Sequence, residues 1–139
     1  MIINEELSTS DPGFGLAYLA HSVLYVNNVF VNANEEQRKR LLPPMCTGDA
    51  IGGVCMSEPD VGTDVLGLRC TAVKKGKEYV LNGRKMWITN GAINGGVSRN
   101  EGLEIELGDA FLVYAKVDGK ITSFVVEKGM PGFSLGQQI

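Results

Sequence analysis

The apolar residues of this chain change their spacing once, near Thr47 to Ala50, and that single change constrains the fold more than any other feature. Before it they recur at three- and four-residue steps; after it they alternate in short runs broken by turn residues. A helix returns a side chain to the same face about every 3.6 residues and a strand about every 2. The switch therefore divides the chain into a helical segment, residues 1–49, and a β-domain, residues 50–139. The fold class expected is α+β.

In the helical segment, Leu16, Leu19, Ala20, Val23, Leu24, Val26 and Phe30 predict one largely buried helix from Asp11 to about Ala33, opened by an Asp11 N-cap with Pro12 in the first turn. The spacing Asn34-Glu35-Glu36-Gln37 is that of a capping box, so a second, amphipathic helix starts at Asn34. Pro43-Pro44 is expected to end or kink it. The stretch from Pro12 to Asn34 carries no Asp, Glu, Lys or Arg and has about the length of a membrane span. His21, Ser22, Asn27, Asn28, Asn32 and Asn34, with no flanking Lys or Arg before Arg38, argue instead for a helix buried in protein, because polar groups are costly in hydrocarbon.

In the β-domain the alternation predicts strands at Ile51–Met56, Leu68–Lys74, Glu78–Leu81, Lys85–Thr89, Ala110–Val117 and Ile121–Val126, with a short last one near Phe133–Leu135. Lys75-Gly76-Lys77 marks a turn; Asn82-Gly83 and Asp118-Gly119 mark two hairpins. Short strands joined by tight turns without intervening helices predict an antiparallel barrel or sandwich, and of the two an antiparallel β-barrel is the expectation. The glycine-rich stretch from Gly91 to Asp109 fits neither period and is expected to be a mobile loop.

Thirteen Lys and Arg against sixteen Asp and Glu, with no basic block, exclude the phosphate-neutralising surface of a nucleic-acid binder. Cys46, Cys55 and Cys70 are odd in number and lack metal-site spacing, so buried thiols in a reducing compartment are expected and no metal centre. Met1 to Glu6 has neither the basic and apolar regions of a signal peptide nor the Arg-rich character of a transit peptide.

Two segments can carry chemistry. Cys55 to Asp64 leaves a strand into a turn rich in hydroxyls and backbone donors, which can meet a phosphate or the electronegative edge of a planar ligand; a plain Ser-Glu-Pro turn has the same look. On Lys85–Thr89, alternation puts Trp87 and Thr89 on one face, which suits a flavin ring, and Met86 and Ile88 on the other. An inward Trp completing a barrel core fits the same pattern. His21, the single histidine, reads as a hydrogen-bonded core residue.

Taken together, Met56-Ser57-Glu58-Pro59 with Gly62-Thr63-Asp64, then Leu81-Asn82-Gly83 and Trp87-Ile88-Thr89-Asn90, resemble in order and spacing the paired flavin signatures of acyl-CoA dehydrogenases. The likeness extends to Ala20-His21-Ser22, Val113-Tyr114-Ala115-Lys116 and the run from Phe124 to Phe133. It covers about Gly13 to Ser134 apart from the glycine-rich stretch, and is greatest for the branch acting on isovaleryl-CoA. The resemblance implies the end of the family's N-terminal helical domain followed by its middle β-domain. It implies FAD lined by Val54, Cys55, Met56, Ser57, Gly62 and Thr63, with Ser57 near the pyrimidine edge and Thr63 towards the pyrophosphate and the acyl-CoA substrate. Trp87, Ile88 and Thr89 would lie along the ring.

In the family a glutamate removes the proton alpha to the thioester, the flavin takes a hydride from the beta carbon, and an electron-transferring flavoprotein reoxidises it. That base belongs to a C-terminal helical domain beyond Ile139, so no catalytic residue is expected here, Glu58 being a turn residue, and the chain by itself is expected to be inactive. A homo-oligomer in the mitochondrial matrix is implied as well. Two departures stand out: the Asn90-to-Ala110 connection is enlarged, and the loop that in relatives helps hold the CoA adenosine phosphate is reduced to Asp118-Gly119. A non-catalytic flavin- or CoA-binding module and a membrane-attached β-domain are the rival readings; turnover and partition into liposomes separate them from a dehydrogenase.

Overall fold

The computed structural model describes residues 2–94 and 105–136. Helix α1 (Ile2–Ser10) is followed by α2 (Pro12–Leu19), which runs without a break through a π-helical stretch, Ala20–Asn27, into α3 (Asn28–Asn32). Asp11 caps α2 as expected, its Oδ1 accepting the N–H groups of Gly13 and Phe14 at 2.8 and 3.1 Å. The expectation of a largely buried helix fails: Leu16, Val23, Leu24 and Phe30 are all exposed. The π turns shift the register, so the residues that face inward are Gly15, Ala20 and Tyr25, five apart, and then Val29. The 21 residues Pro12–Asn32 are long and apolar enough to cross a membrane, with a mean hydropathy of 1.3 in the most apolar window. In this fold Tyr25 and Val29 of that face pack on the sheet, and Gly15 lies against Ser8 of α1.

Helix α4 (Glu35–Thr47) opens on the expected capping box, with Asn34 Oδ1 accepting Gln37 N–H and Gln37 Oε1 accepting Asn34 N–H. It does not stop at Pro43-Pro44 but continues one turn to Gly48, which adopts the left-handed C-cap conformation. Leu41 and Met45, both buried, anchor the turns on either side of the prolines, and the Thr47 hydroxyl closes on the carbonyls of Pro43 and Pro44.

The strands are β1 (Gly52–Cys55), β2 (Thr71–Lys75), β3 (Glu78–Asn82), β4 (Ala92–Asn94), β5 (Ile105–Leu107), β6 (Ala110–Val117) and β7 (Lys120–Glu127). The α+β class holds, but the antiparallel barrel does not: β1, β2, β3, β6 and β7 form one mixed sheet. β6–β7 and β2–β3 are antiparallel, whereas β1 pairs parallel with β6 from Gly52↔Ala110 to Cys55↔Val113, and β2 meets β6 in parallel at Thr71↔Lys116. Parallel neighbours need a long connection, and residues 56–109 supply it. β1 and β2 thus share one edge of β6, and the chain between them, Met56 to Cys70, loops out from that edge.

β6 reads as a continuous apolar run because both its faces are covered. Phe111, Val113 and Ala115 join Cys55, Leu68, Cys70 and Ala72 in one core, while Ala110 and Leu112 meet Tyr25, Val29, Leu41 and Met45 in the other. Gly52 is dictated by the second core, since a Cβ there would lie 2.4 Å from the Tyr25 ring. His21 holds the same junction, accepting Gly52 N–H at Nδ1 and donating from Nε2 to the Met45 carbonyl, each at 3.0 Å.

Asp118-Gly119 forms the expected hairpin, with both φ angles positive (48° and 78°), and Gly76-Lys77 turns β2 into β3. Asn82-Gly83 does not form one, because Lys85–Thr89 is not a strand. Phe133–Leu135 is irregular, although Phe133 still packs edge-on against Phe111. The glycine-rich stretch is not loop throughout: its ends pair as β4 and β5, from Ala92↔Leu107 to Asn94↔Ile105, and the mobility expected of its middle falls outside the described residues.

Candidate functional site

The free edge of β1 is where the two motif segments meet. Residues 86–90 run antiparallel beside it without forming a ladder: Met86 N–H donates to the Ser57 carbonyl at 2.9 Å, and at the other end Asn90 Nδ2 donates to the Gly52 carbonyl at 3.2 Å. Asn90 Nδ2 also reaches the Ala17 carbonyl of α2 at 3.1 Å. Between these ties Trp87 has φ 59° and Asn90 φ 64°, and two left-handed residues break the extended path on which strand alternation rests. Asn tolerates that region; for Trp it is strained.

The expected sharing of a face by Trp87 and Thr89 therefore does not follow from pleating. Trp87 turns its indole outward, 70% exposed, Ile88 packs inward on the sheet core, and Met86 and Thr89 are half-buried. The Thr89 carbonyl lies over β1, 2.7 Å from where a Cβ on Gly53 would be.

The turn after β1 is built around Glu58. Its backbone N–H and carbonyl pair with those of Val61 at 2.8 and 3.1 Å. Its buried carboxylate accepts Arg69 N–H at Oε2 (2.6 Å), and Cys70 N–H (2.9 Å) and Lys85 Nζ (2.8 Å) at Oε1. Lys85 Nζ also donates to the Met56 carbonyl at 3.1 Å. Desolvation pushes the Glu58 carboxyl up, but the hydrogen bonds from Lys85, Arg69 and Cys70 together with the Lys85 charge outweigh it and hold the group below its ordinary range. A carboxylate so engaged has no free role as a proton acceptor. The same burial pushes the Cys55 thiol up to about 12 and raises that of Cys70, so neither is a nucleophile at neutral pH.

Of the residues singled out in the sequence, Ser57 is tied through its carbonyl to Met86, the residue before Trp87. Ser57 N–H, its hydroxyl, and the hydroxyls of Thr63 and Thr89 have no hydrogen-bond partner among the described residues, and the Trp87 ring is exposed. Val54 and Cys55 point their side chains into the two cores, so only their backbone can face a ligand. Met56 is half-buried; Gly62 and Thr63 lie exposed beyond the Glu58↔Val61 bridge, and no hydrogen bond ties them to residues 86–90. Lys85 and Asn90 were not singled out in the sequence as site residues, and both hold the site together. The signal that could have found Lys85 is a Lys beside the motif matched by an acid that the turn must bury.

This arrangement has close counterparts. The family model described as acyl-CoA dehydrogenase, N-terminal domain, matches residues 1–49, and that described as acyl-CoA dehydrogenase, middle domain, matches residues 53–139. The mitochondrial isovaleryl-CoA dehydrogenase of Pongo abelii is 40% identical over the whole chain, which spans 31% of that protein. A probable acyl-CoA dehydrogenase of Bacillus subtilis is 39% identical over 99% of the chain and 21% of its own length. Among solved structures, glutaryl-CoA dehydrogenase of Mycobacterium smegmatis in complex with FADH2 superposes with a TM-score of 0.79 at 33% identity, over 94% of this chain and 30% of that one. A chain in a structure described as the electron transferring flavoprotein of Acidaminococcus fermentans superposes with a TM-score of 0.81 at 36% identity, over 96% and 33%. With one family model matching residues 1–49 and the other residues 53–139, the chain belongs to the acyl-CoA dehydrogenase family.

Proposed function

We propose that this chain is the flavin-holding portion of an acyl-CoA dehydrogenase that oxidises a short branched acyl-CoA such as isovaleryl-CoA and passes electrons to an electron-transferring flavoprotein. On this reading residues 1–49 complete an N-terminal helical domain and 50–139 a middle domain, and the working enzyme is an oligomer of the mitochondrial matrix. The observation that carries it is the Trp87 indole, 70% exposed on a left-handed backbone, in a segment tied to the Ser57 carbonyl, where the Ser57 N–H and the Thr89 hydroxyl have no partner among the described residues. An outward indole at a strained position costs roughly 1–3 kcal/mol of conformational energy and buries little in return, which suits a ring kept for a planar ligand.

FAD fits these groups. When bound, it supplies the electron sink for removal of a hydride from the acyl chain. The chain's own residues would do the holding: the Ser57 N–H and Oγ would serve as donors to its pyrimidine edge, the Thr89 hydroxyl would serve the ring's central edge, Trp87 would cover its plane, and backbone around Val54 to Met56 and Ile88 would wall it. Gly62 and Thr63 would lie towards the pyrophosphate and the thioester ligand. Titration of the purified chain with FAD tests the reading, followed by flavin fluorescence and absorbance. Trp87→Gly keeps the left-handed backbone and removes the ring, and a loss of about 1–3 kcal/mol, or roughly five- to 150-fold in Kd, is expected. An unchanged Kd in that variant, or no FAD binding by the parent chain, overturns it.

A further inference from the structure

We infer that Glu58 and Lys85 are a positioning pair for the ligand-facing turn: a buried ionic latch that sets the direction of the Ser57 peptide N–H. The inference rests on the flavin reading above for what that N–H meets, and on geometry alone for the latch.

Lys85 and Glu58 side chains are only 9% and 5% exposed. Moving both charges out of water is expensive, and an apolar pair of the same size would often give equal or greater stability. A merely stabilising role therefore explains the pair poorly. What it does is join three segments far apart in sequence: Met56 to Glu58, Arg69-Cys70 and Lys85. The approach is close enough to exclude a side chain at Gly83, whose Cβ would stand 2.7–2.9 Å from Cys70 Sγ, Cβ and Cα.

The directional consequence comes from peptide planarity. Lys85 Nζ draws the Met56 carbonyl towards the latch, and in a trans peptide the N–H of the next residue points the opposite way. That N–H belongs to Ser57. The following carbonyl, of Ser57 itself, is pinned by Met86 N–H, one residue after Lys85. Two successive peptide planes are thus fixed from the side of the latch, and the Ser57 N–H is left facing away from it with no protein partner among the described residues. Pre-oriented donors of this kind lower the ordering cost of binding. An ammonium suits the place because three donors on a compact head can serve the carboxylate and the carbonyl at once.

The test uses the full chain and the variants Lys85→Met, the near-isosteric Glu58→Gln, and the two combined. Two readouts are taken: FAD titration with the visible spectrum, and hydrogen exchange of the Arg69 and Cys70 amides with urea midpoints, without flavin. Each single variant should weaken FAD binding at least about tenfold, shift the bound flavin bands and speed exchange at those amides. The double variant, with no unpaired charge left, should recover the urea midpoint but not the affinity or the spectrum. Recovery of affinity along with stability would make the pair structural only and overturn the inference, as would amides that exchange no faster in either single variant. If the parent chain binds no FAD, the flavin reading falls, and the exchange readout alone decides whether the latch orders the turn.

Discussion

Asn90→Asp changes one atom type and leaves shape and backbone tolerance alone, which makes it a sharp test of how the site segment is held. Asn90 sits at φ 64°, a region Asp also accepts, so no backbone penalty is added. What is lost are the two Nδ2 hydrogen bonds, 3.1 Å to Ala17 O and 3.2 Å to Gly52 O. At about 0.5–1.5 kcal/mol each these sum to about 1–3 kcal/mol, and an ionised carboxylate aimed at two carbonyl oxygens puts the expected loss near 3 kcal/mol at neutral pH. Those oxygens favour the protonated acid, so the introduced group has a raised pKa in the folded state. Its penalty is therefore full at high pH and shrinks as pH falls, when the acid can donate one hydrogen bond. Urea midpoints of variant and parent, compared at neutral pH and at about pH 4, give the difference directly, and the other carboxylates cancel. Equal stability at both pH values, or a gap that widens on acidification, would show that Asn90 does not tie the segment to α2 and β1.

Asn34→Ala removes the side-chain half of the capping box of α4 and should cost about 1 kcal/mol in thermal melts followed by circular dichroism; an unchanged melt would exclude the reciprocal cap. Because the Glu58 carboxyl is held below its ordinary range, its contribution is complete above the unfolded value of about 4.3 and is lost as pH falls through the folded one. Glu58→Gln should accordingly lie lower at neutral pH and show a flatter stability curve in acid, and parallel curves would count against this. Cys46 is exposed whereas Cys55 and Cys70 are buried with raised thiols, so a neutral alkylating agent should modify one thiol in the native chain and three in denaturant; three fast modifications in the native chain would contradict the core assignment.

Local rules were readable wherever a residue's neighbours in sequence are its neighbours in space. The Asp11 and Asn34 caps, the Asp118-Gly119 turn and the bounds of β6 follow from short-range chemistry, and all stand in the structure. The buried face of α2–α3 is not legible in the sequence because π-helical turns carry no compositional mark, and a three-to-four spacing selects Leu16, Val23 and Phe30 in place of Tyr25. Lys85–Thr89 alternates as a strand does, yet a Trp in the left-handed region is fixed by ties at Met86 and Asn90 that no local pattern reveals. In the same way the Lys85–Glu58 bond joins residues 27 positions apart, a separation at which no local pattern signals the pairing.

The shared edge of β6 bears on the order in which the molecule is assembled. Among the described residues β1 pairs in the sheet with β6 alone, and β2 leaves its own hairpin to meet the sheet at β6, so a chain emerging from the ribosome holds Gly52–Cys55 and Thr71–Lys75 for some forty to sixty residues before the strand they join exists. The β6–β7 hairpin, closed by a tight two-residue turn, is the fast local step, expected within about 1–10 μs, and docking of β1 and β2 onto its edge is the slow, non-local one. Until then the apolar faces destined for Phe111 and Leu112 stay open, which makes the interval before Ala110–Val117 is synthesised the one in which this chain most needs a chaperone.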